Sequence, residues 1–344
     1  MTPRQERIYH TALFAALALL TLALLVGGLL VGTTAIPLDE VWAALIGTSD
    51  NPGYETIICR MRLPKIVVAL AAGMALSASG LQMQTLFRNP LAGPYVLGIN
   101  SGASLGVALF TLATPMLSAT GALWLMNLGL TGMAWIGSAA ILMVVMSLSR
   151  RIKNVSVILI IGMMLGSAIT ALVGILQYMG TDESLKAFMV WTMGSLSTVT
   201  IDGLKVLVPV VIVGLVIALA TVKPLNMLSL GEGYARTMGL NVRLARTMVF
   251  LSTTLLAGTV TAYCGPIGFI GLAMPHIARM TFRTANHRVL MPASMLWGAV
   301  AMLLCSLLSD VVARSGLMLP VNTLTSLLGI PIIIFVVLRN RNRQ

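Results

Sequence analysis

The chain has 344 residues, of which 58% are apolar and only 9% charged, and its mean hydropathy is +0.95. A soluble globular domain of this length would lack the polar surface to stay in solution, so the composition excludes that class and points to a polytopic membrane protein. The apolar runs are long and lack the short alternation of outer-membrane strands, which leaves helices. The net charge of +12 is in such a chain a matter of position, and its distribution argues against nucleic-acid binding.

Taken in order, the apolar segments fall near 10–32, 64–86, 95–114, 119–148, 155–178, 189–222, 243–263, 267–282, 289–311 and 321–338. These predict an all-α fold of about ten transmembrane helices in one transmembrane domain, 1–344, with no soluble domain or linker. The first segment, His10–Val31, has about 33 Å of helix at 1.5 Å per residue, too long for a signal-peptide core, and is expected to be a retained span. The segment at 189–222 is interrupted by the polar run STVTIDG and that at 267–282 is short and bounded by Gly and Pro, so irregular or re-entrant helices are expected there.

An even number of spans puts both termini on one side. With the termini in the cytoplasm, only Arg60, Arg62, Lys65, Lys186, Lys205 and Arg314 of the 22 basic residues fall in external segments. The acids go the other way, with Asp39, Glu40, Asp50, Glu55, Asp182, Glu183, Asp202 and Asp310 outside. This asymmetry is the positive-inside pattern and marks the chain as multi-pass in a cytoplasmic (inner) membrane. It also puts the segment GEGYARTMGL, Gly231–Leu240, in the cytoplasm. That stretch is polar and glycine-rich between apolar segments. Gly231, Gly233, Ala235 and Gly239 permit close approach of another backbone, and Glu232 and Arg236 are one helical turn apart.

Several chemistries are missing. An ion-coupled carrier needs ionisable side chains near mid-bilayer, and none is visible in the sequence. Cys59, Cys264 and Cys305 are widely spaced and the three histidines are scattered, so neither a disulfide framework nor a metal site is indicated. No G-x-S-x-G and no P-loop occurs. The 23 methionines are spread through nearly every span as flexible packing residues or as an adaptable lining for a bulky chelate. A chain with a pathway but no power source must take its energy from another polypeptide if it moves substrate uphill. A stand-alone secondary carrier or channel is the alternative.

The stretches RMRLPKIVVALAAGMALSASGLQMQTLFRNPLAGPYVLGINSGASLG, GEGYARTMGL, CGPIGFIGLAMPHIARM, NHRVLMPASMLWGA, SDVVAR and LPVNTLTSLLGIPIIIFVVLR, spread over residues 36 to 339, resemble the successive signatures of the FecCD-type permeases. Those are the membrane subunits of type II ABC importers for ferric siderophores, haem and cobalamin. The resemblance implies a dimer of permease subunits, most simply a homodimer, with two ATPase subunits on the cytoplasmic side and a periplasmic substrate-binding protein outside. It implies no cofactor on this chain, with ATP and Mg2+ held by the ATPase. Gly231, Glu232, Ala235, Arg236 and Gly239, in a cytoplasmic coupling segment at 226–241, match the family's coupling helix. Arg62 and Arg314 match its two external arginines that dock the binding protein. The simpler alternatives are a membrane-interface anchor for Arg62 and a local pair with Asp310 for Arg314. Asn89 and Leu91, in RNPLAGP, match the cytoplasmic gate, against the plainer reading of a tight connection. His276 is read as a structural hydrogen-bonder rather than a haem ligand. Among cargoes the family's breadth ranks ferric siderophore first, with haem and cobalamin next.

Overall fold

The computed structural model describes residues 2–32, 34–112, 129–152, 154–317 and 319–341, which are all helix, turn or irregular chain. Helix α1 spans Pro3–Leu30, opened by a capping box in which Thr2 and Gln5 satisfy each other's backbone N–H. A short α2, Leu38–Ile46, closes on Gly47 in the left-handed conformation. Helix α3 runs over Pro52–Leu86 and includes a π-helical stretch at Thr56–Arg62. A 3-10 turn, Pro94–Leu97, leads to α4, Ile99–Thr111.

After the next described residue come α5, Gly129–Arg151, α6, Val155–Met179, and α7, Asp182–Thr192. These are followed by α8, Ile201–Ala220, α9, Val222–Ser229, and the short α10, Glu232–Thr237. Helix α11 is Val242–Cys264, with a π-helical turn at Thr254–Gly258. The chain finishes with α12, Ile270–Phe282, α13, His287–Ala313, and α14, Val321–Arg341.

Among the described residues seven helices are long and apolar enough to cross a membrane: α1, α3, α5, α6, α8, α11 and α13. Helices α4 and α14 are apolar but shorter within their described apolar stretches, and α12 has 13 residues. The segment 189–222, expected to be interrupted, consists of two helices, α7 and α8. Gly194, with φ +73°, follows the end of α7, and residues 195–200 stay non-helical before α8 begins. The segment at 267–282 starts three residues later than expected, because Phe269 takes a positive φ of 65° immediately before α12. Helix α2 and the extension of α3 back to Pro52 lie in a stretch that hydropathy alone leaves blank. The expected boundaries at 114 and 119 lie outside the described residues.

Burial separates two kinds of span. In α1 only 11% and in α8 only 22% of the most apolar window is buried within the chain, against 78% in α3 and 72% in α11. Apolar faces left open on this scale, with Leu19, Leu22, Ile212 and Val216 all exposed, need lipid or another membrane subunit to cover them.

The chain divides into two compact units, each built from discontinuous stretches: residues 1–78, 195–208 and 268–344, and residues 79–194 and 209–267. Within the first, α1 packs against α13, and α12 against α13 and α14. Gly73 and Gly298 bring α3 and α13 so close that a Cβ on either would collide with the other's carbonyl. Tyr9 and His10 at the start of α1 bond to the carbonyls of Thr281 and Phe282. In the second unit α4 packs mainly on α5 through a similar meeting of Gly102 and Gly137. A buried polar set also links its elements: Gln82 donates to Thr221 at 3.0 Å and accepts from Thr253 at 3.3 Å. In lipid such groups must find partners within the protein, so this set fixes the register of the helices that carry them.

Candidate functional site

The segment Gly231–Leu240 folds as its composition suggests, into one and a half turns of helix between membrane-length helices. Gly231 has φ +122°, a region L-residues avoid, and a Cβ there would lie 2.8 Å from the Arg88 guanidinium. Gly239, at φ +82°, turns the chain out of α10 toward Asn241, whose side chain caps α11 by accepting from Leu244 N–H at 3.1 Å. Ala235 is fully buried, whereas Gly233, Tyr234, Arg236 and Met238 are exposed. A short helix is thus seated by one small residue and offers its other side outward.

Glu232 is held differently from the expected i,i+4 pairing. Its distance to Arg236 is 3.8 Å, with Arg236 more than half exposed, which is the outer limit of an ion pair. The close partner is Arg246 on α11, whose guanidinium bonds directly to the Glu232 carboxylate and whose side chain is only 6% exposed. Arg246 also donates to the Ile152 carbonyl at 3.4 Å. Hydropathy offered one sign of this: Arg246 lies on the face of α11 otherwise formed by buried Val242, Ala245, Val249 and Phe250, and a charge on such a face needs a partner.

The turn after α3 is a tight one. Arg88 takes a left-handed φ of 49°, and the Asn89 side chain accepts from the Leu91 N–H at 2.9 Å, an Asx turn that fixes the path between Pro90 and Pro94. Asn89 is half-buried and Leu91 is 50% exposed. Arg88 reaches the Leu228 carbonyl, at 3.4 Å, and stands beside Gly231. The turn carrying Asn89 and Leu91 therefore adjoins the residues leading into α10.

Arg62 and Arg314 also meet, through the backbone after α1. Arg62 is buried and donates to the carbonyls of Leu29 at 2.7 Å, Leu30 at 3.1 Å and Thr34. Arg314 is exposed and donates from Nε to the Gly32 carbonyl at 2.7 Å. Gly32 has no room for a side chain, since a Cβ would lie 2.5–2.8 Å from the Arg62 guanidinium. Asp310 pairs with Lys65, at 2.6 Å, rather than with Arg314, the local partner that helical spacing suggested. Arg60 is exposed nearby in sequence. His276 is buried in α12.

Apolar helices that leave open faces, glycine-mediated helix crossings and a short exposed helix between spans define a multi-pass membrane protein. The family model described as the FecCD transport family matches residues 19–339, and the chain belongs to that family. It is 35% identical over 339 residues, 98% of each chain, to the "Hemin transport system permease protein HmuU" of Yersinia pestis. It is 37% identical over 325 residues to the "Vitamin B12 import system permease protein BtuC" of Salmonella typhi, covering 94% of this chain and 95% of that one. A solved inward-facing structure of a transporter assigned to the metal-chelate ABC type superposes with a TM-score of 0.81 at 32% identity, covering 96% of this chain and 99% of the other. The chain is the permease subunit of a metal-chelate type ABC importer, and its similar proteins are transport subunits rather than enzymes.

Proposed function

We propose that this chain is the membrane-spanning half of an ATP-driven importer in the cytoplasmic membrane, with about ten spans and both termini inside. It carries a metal chelate inward by alternating access. The observation that carries the reading is α10: a small helix, seated by Ala235 and tied by Glu232, that turns Gly233, Tyr234 and Arg236 outward between spans. A surface of that size and smallness suits insertion into a cleft of an ATPase subunit. Gly231, Glu232, Ala235, Arg236 and Gly239 are its coupling residues, and ATP and Mg2+ are held by that partner, with no cofactor on this chain.

A binding protein docks at the cluster around Arg314. Arg314 supplies the exposed guanidinium for a carboxylate of that partner, and Arg62 lies beneath, shaping the turn to which Arg314 is bonded. Asn89 and Leu91 form the cytoplasmic gate. The assembly is two permease subunits, most simply identical, with two ATPases and one binding protein. Cargo ranks as ferric siderophore, then haem or cobalamin. The relatives named for hemin and vitamin B12 supply precedents for the latter two, and no residue of this chain discriminates among the three.

Two experiments test this. Affinities of the cognate binding protein for ferric siderophores, haemin and cobalamin identify the cargo; a preference for none of them removes the chelate assignment. Purification of the chain with its candidate ATPase tests α10: wild type retains the ATPase and Glu232→Arg loses either the ATPase or transport. Normal assembly and transport in Glu232→Arg would exclude α10 as the coupling element and favour the stand-alone carrier.

A further inference from the structure

We infer that α11 carries a two-residue relay, Arg246 and Phe250, that passes movement of α10 to the turn bearing Asn89 and Leu91. The inference rests on the reading of α10 as the coupling element and adds the route by which its displacement reaches the gate.

Each contact in the route is local. Glu232 opens α10 and is ion-paired to Arg246, whose side chain is almost wholly buried. Arg246 and Phe250 are four residues apart on α11, so they lie on the same face of the helix one turn apart. Phe250 is 1% exposed and packs on Phe87, 7% exposed, with ring centroids 6.4 Å apart and planes tilted by 32°. Phe87 directly precedes Arg88, Asn89, Pro90 and Leu91. Its position is further fixed by the bond from its own N–H to the Met83 carbonyl at 3.0 Å.

The chemistry of the two links differs, and that difference makes them suitable. A desolvated ion pair resists separation, because pulling the carboxylate away leaves the guanidinium buried with its main counter-charge gone. Both rings are buried, and protein interiors hold little empty space, so a shift of the Phe250 ring presses on Phe87. Arg236, by contrast, is exposed and 3.8 Å from Glu232, so it can meet a partner without carrying load inward. Arg246 is a positioning residue: it acts on the gate through Phe250 and touches no substrate.

The test uses the assembled permease and ATPase in nanodiscs, with Cys59→Ser and Leu91→Cys introduced as a reporter. The readout is the maleimide labelling rate at position 91 with and without ATP. In this background ATP is expected to change the labelling rate. Arg246→Gln and Phe250→Leu are each expected to shrink that ATP-dependent change by about fivefold or more while the ATPase still co-purifies and hydrolyses ATP. Arg246→Lys, which keeps the charge, retains part of the response, and the exchange Glu232→Arg with Arg246→Glu recovers more of it than either single change.

A merely structural role would lower the yield of assembled complex and leave the response per complex unchanged. A full response in assembled Arg246→Gln, or in assembled Phe250→Leu should Arg246→Gln not fold, overturns the relay. Failure of the unmodified chain to retain any ATPase would instead overturn the coupling role of α10, and the relay with it.

Discussion

Two arginine-centred clusters stand out in this molecule, and they use the same side chain in opposite ways. Around Arg62 the guanidinium is spent on backbone carbonyls, those of Leu29, Leu30 and Thr34. The nearby carboxylate, Asp310, belongs to Lys65. Around Arg246 the guanidinium is spent on a carboxylate that stands at the first residue of a short helix, exposed beyond it except at Ala235. Carbonyls hold a turn in shape; a carboxylate on another element ties two elements together. The first cluster is therefore a built surface and the second a joint.

The largest expected effect tests the joint. Arg246→Gln leaves the Glu232 carboxylate without its main partner, and because the pair is largely desolvated the loss is about 2–3 kcal/mol, read as a lowered melting temperature of the detergent-solubilised chain. A variant as stable as wild type would mean that water or Arg236 replaces the lost partner, and the contrast between the clusters would dissolve.

Next comes the built surface. Gly32→Ala forces the Arg62 guanidinium off its carbonyls, since the new Cβ would lie 2.5–2.8 Å from it, at an expected cost of about 1–2 kcal/mol. The same change weakens capture of the binding protein; unchanged capture would separate the shape of this turn from docking. Arg314→Glu should leave stability within about 0.5 kcal/mol, because the side chain is exposed, while reducing binding-protein affinity about tenfold or more by like-charge repulsion. Surface plasmon resonance against the immobilised permease measures it, and an affinity equal to wild type sends docking elsewhere.

The smallest effect is that of Arg236→Ala on stability. An exposed pair at 3.8 Å contributes about 0–0.5 kcal/mol, so thermal unfolding should be unaltered even where ATPase contact is impaired. A loss comparable with that of Arg246→Gln would show that helical spacing had identified the structural pair after all.

Much of this was legible before any coordinates. Long apolar segments located the seven membrane-length helices, because a membrane helix must be apolar along its whole length, and the polar, glycine-rich run Gly231–Leu240 marked the place of α10 because turns are written in adjacent residues. What the sequence left open is equally physical. The polar run STVTIDG announced an interruption within 189–222, but its place depends on Gly194 taking a positive φ of 73°. Helix α2 lies in the stretch after α1, where no span-length apolar run marks it.

The pairings share one lesson. Glu232 and Arg236 do meet, at 3.8 Å, yet Glu232 is held more closely by Arg246, and Asp310, the local alternative for Arg314, pairs with Lys65, because a less exposed cation gains more from a counter-charge than an exposed one. Spacing along one helix reveals neighbours and is silent on which side chains two helices bring together. Gly32 carried no signal at all, since its requirement is set by the tip of a side chain 30 positions away.

The most direct test of the central claim is uptake into proteoliposomes containing the chain and its ATPase, with loaded binding protein outside and nucleotide inside, using ferric siderophore, haemin and cobalamin in turn. The account predicts uptake of one of these chelates that requires both ATP and binding protein and persists when ion gradients are collapsed. Uptake by the chain alone, or uptake abolished by an ionophore while ATP is present, would contradict it.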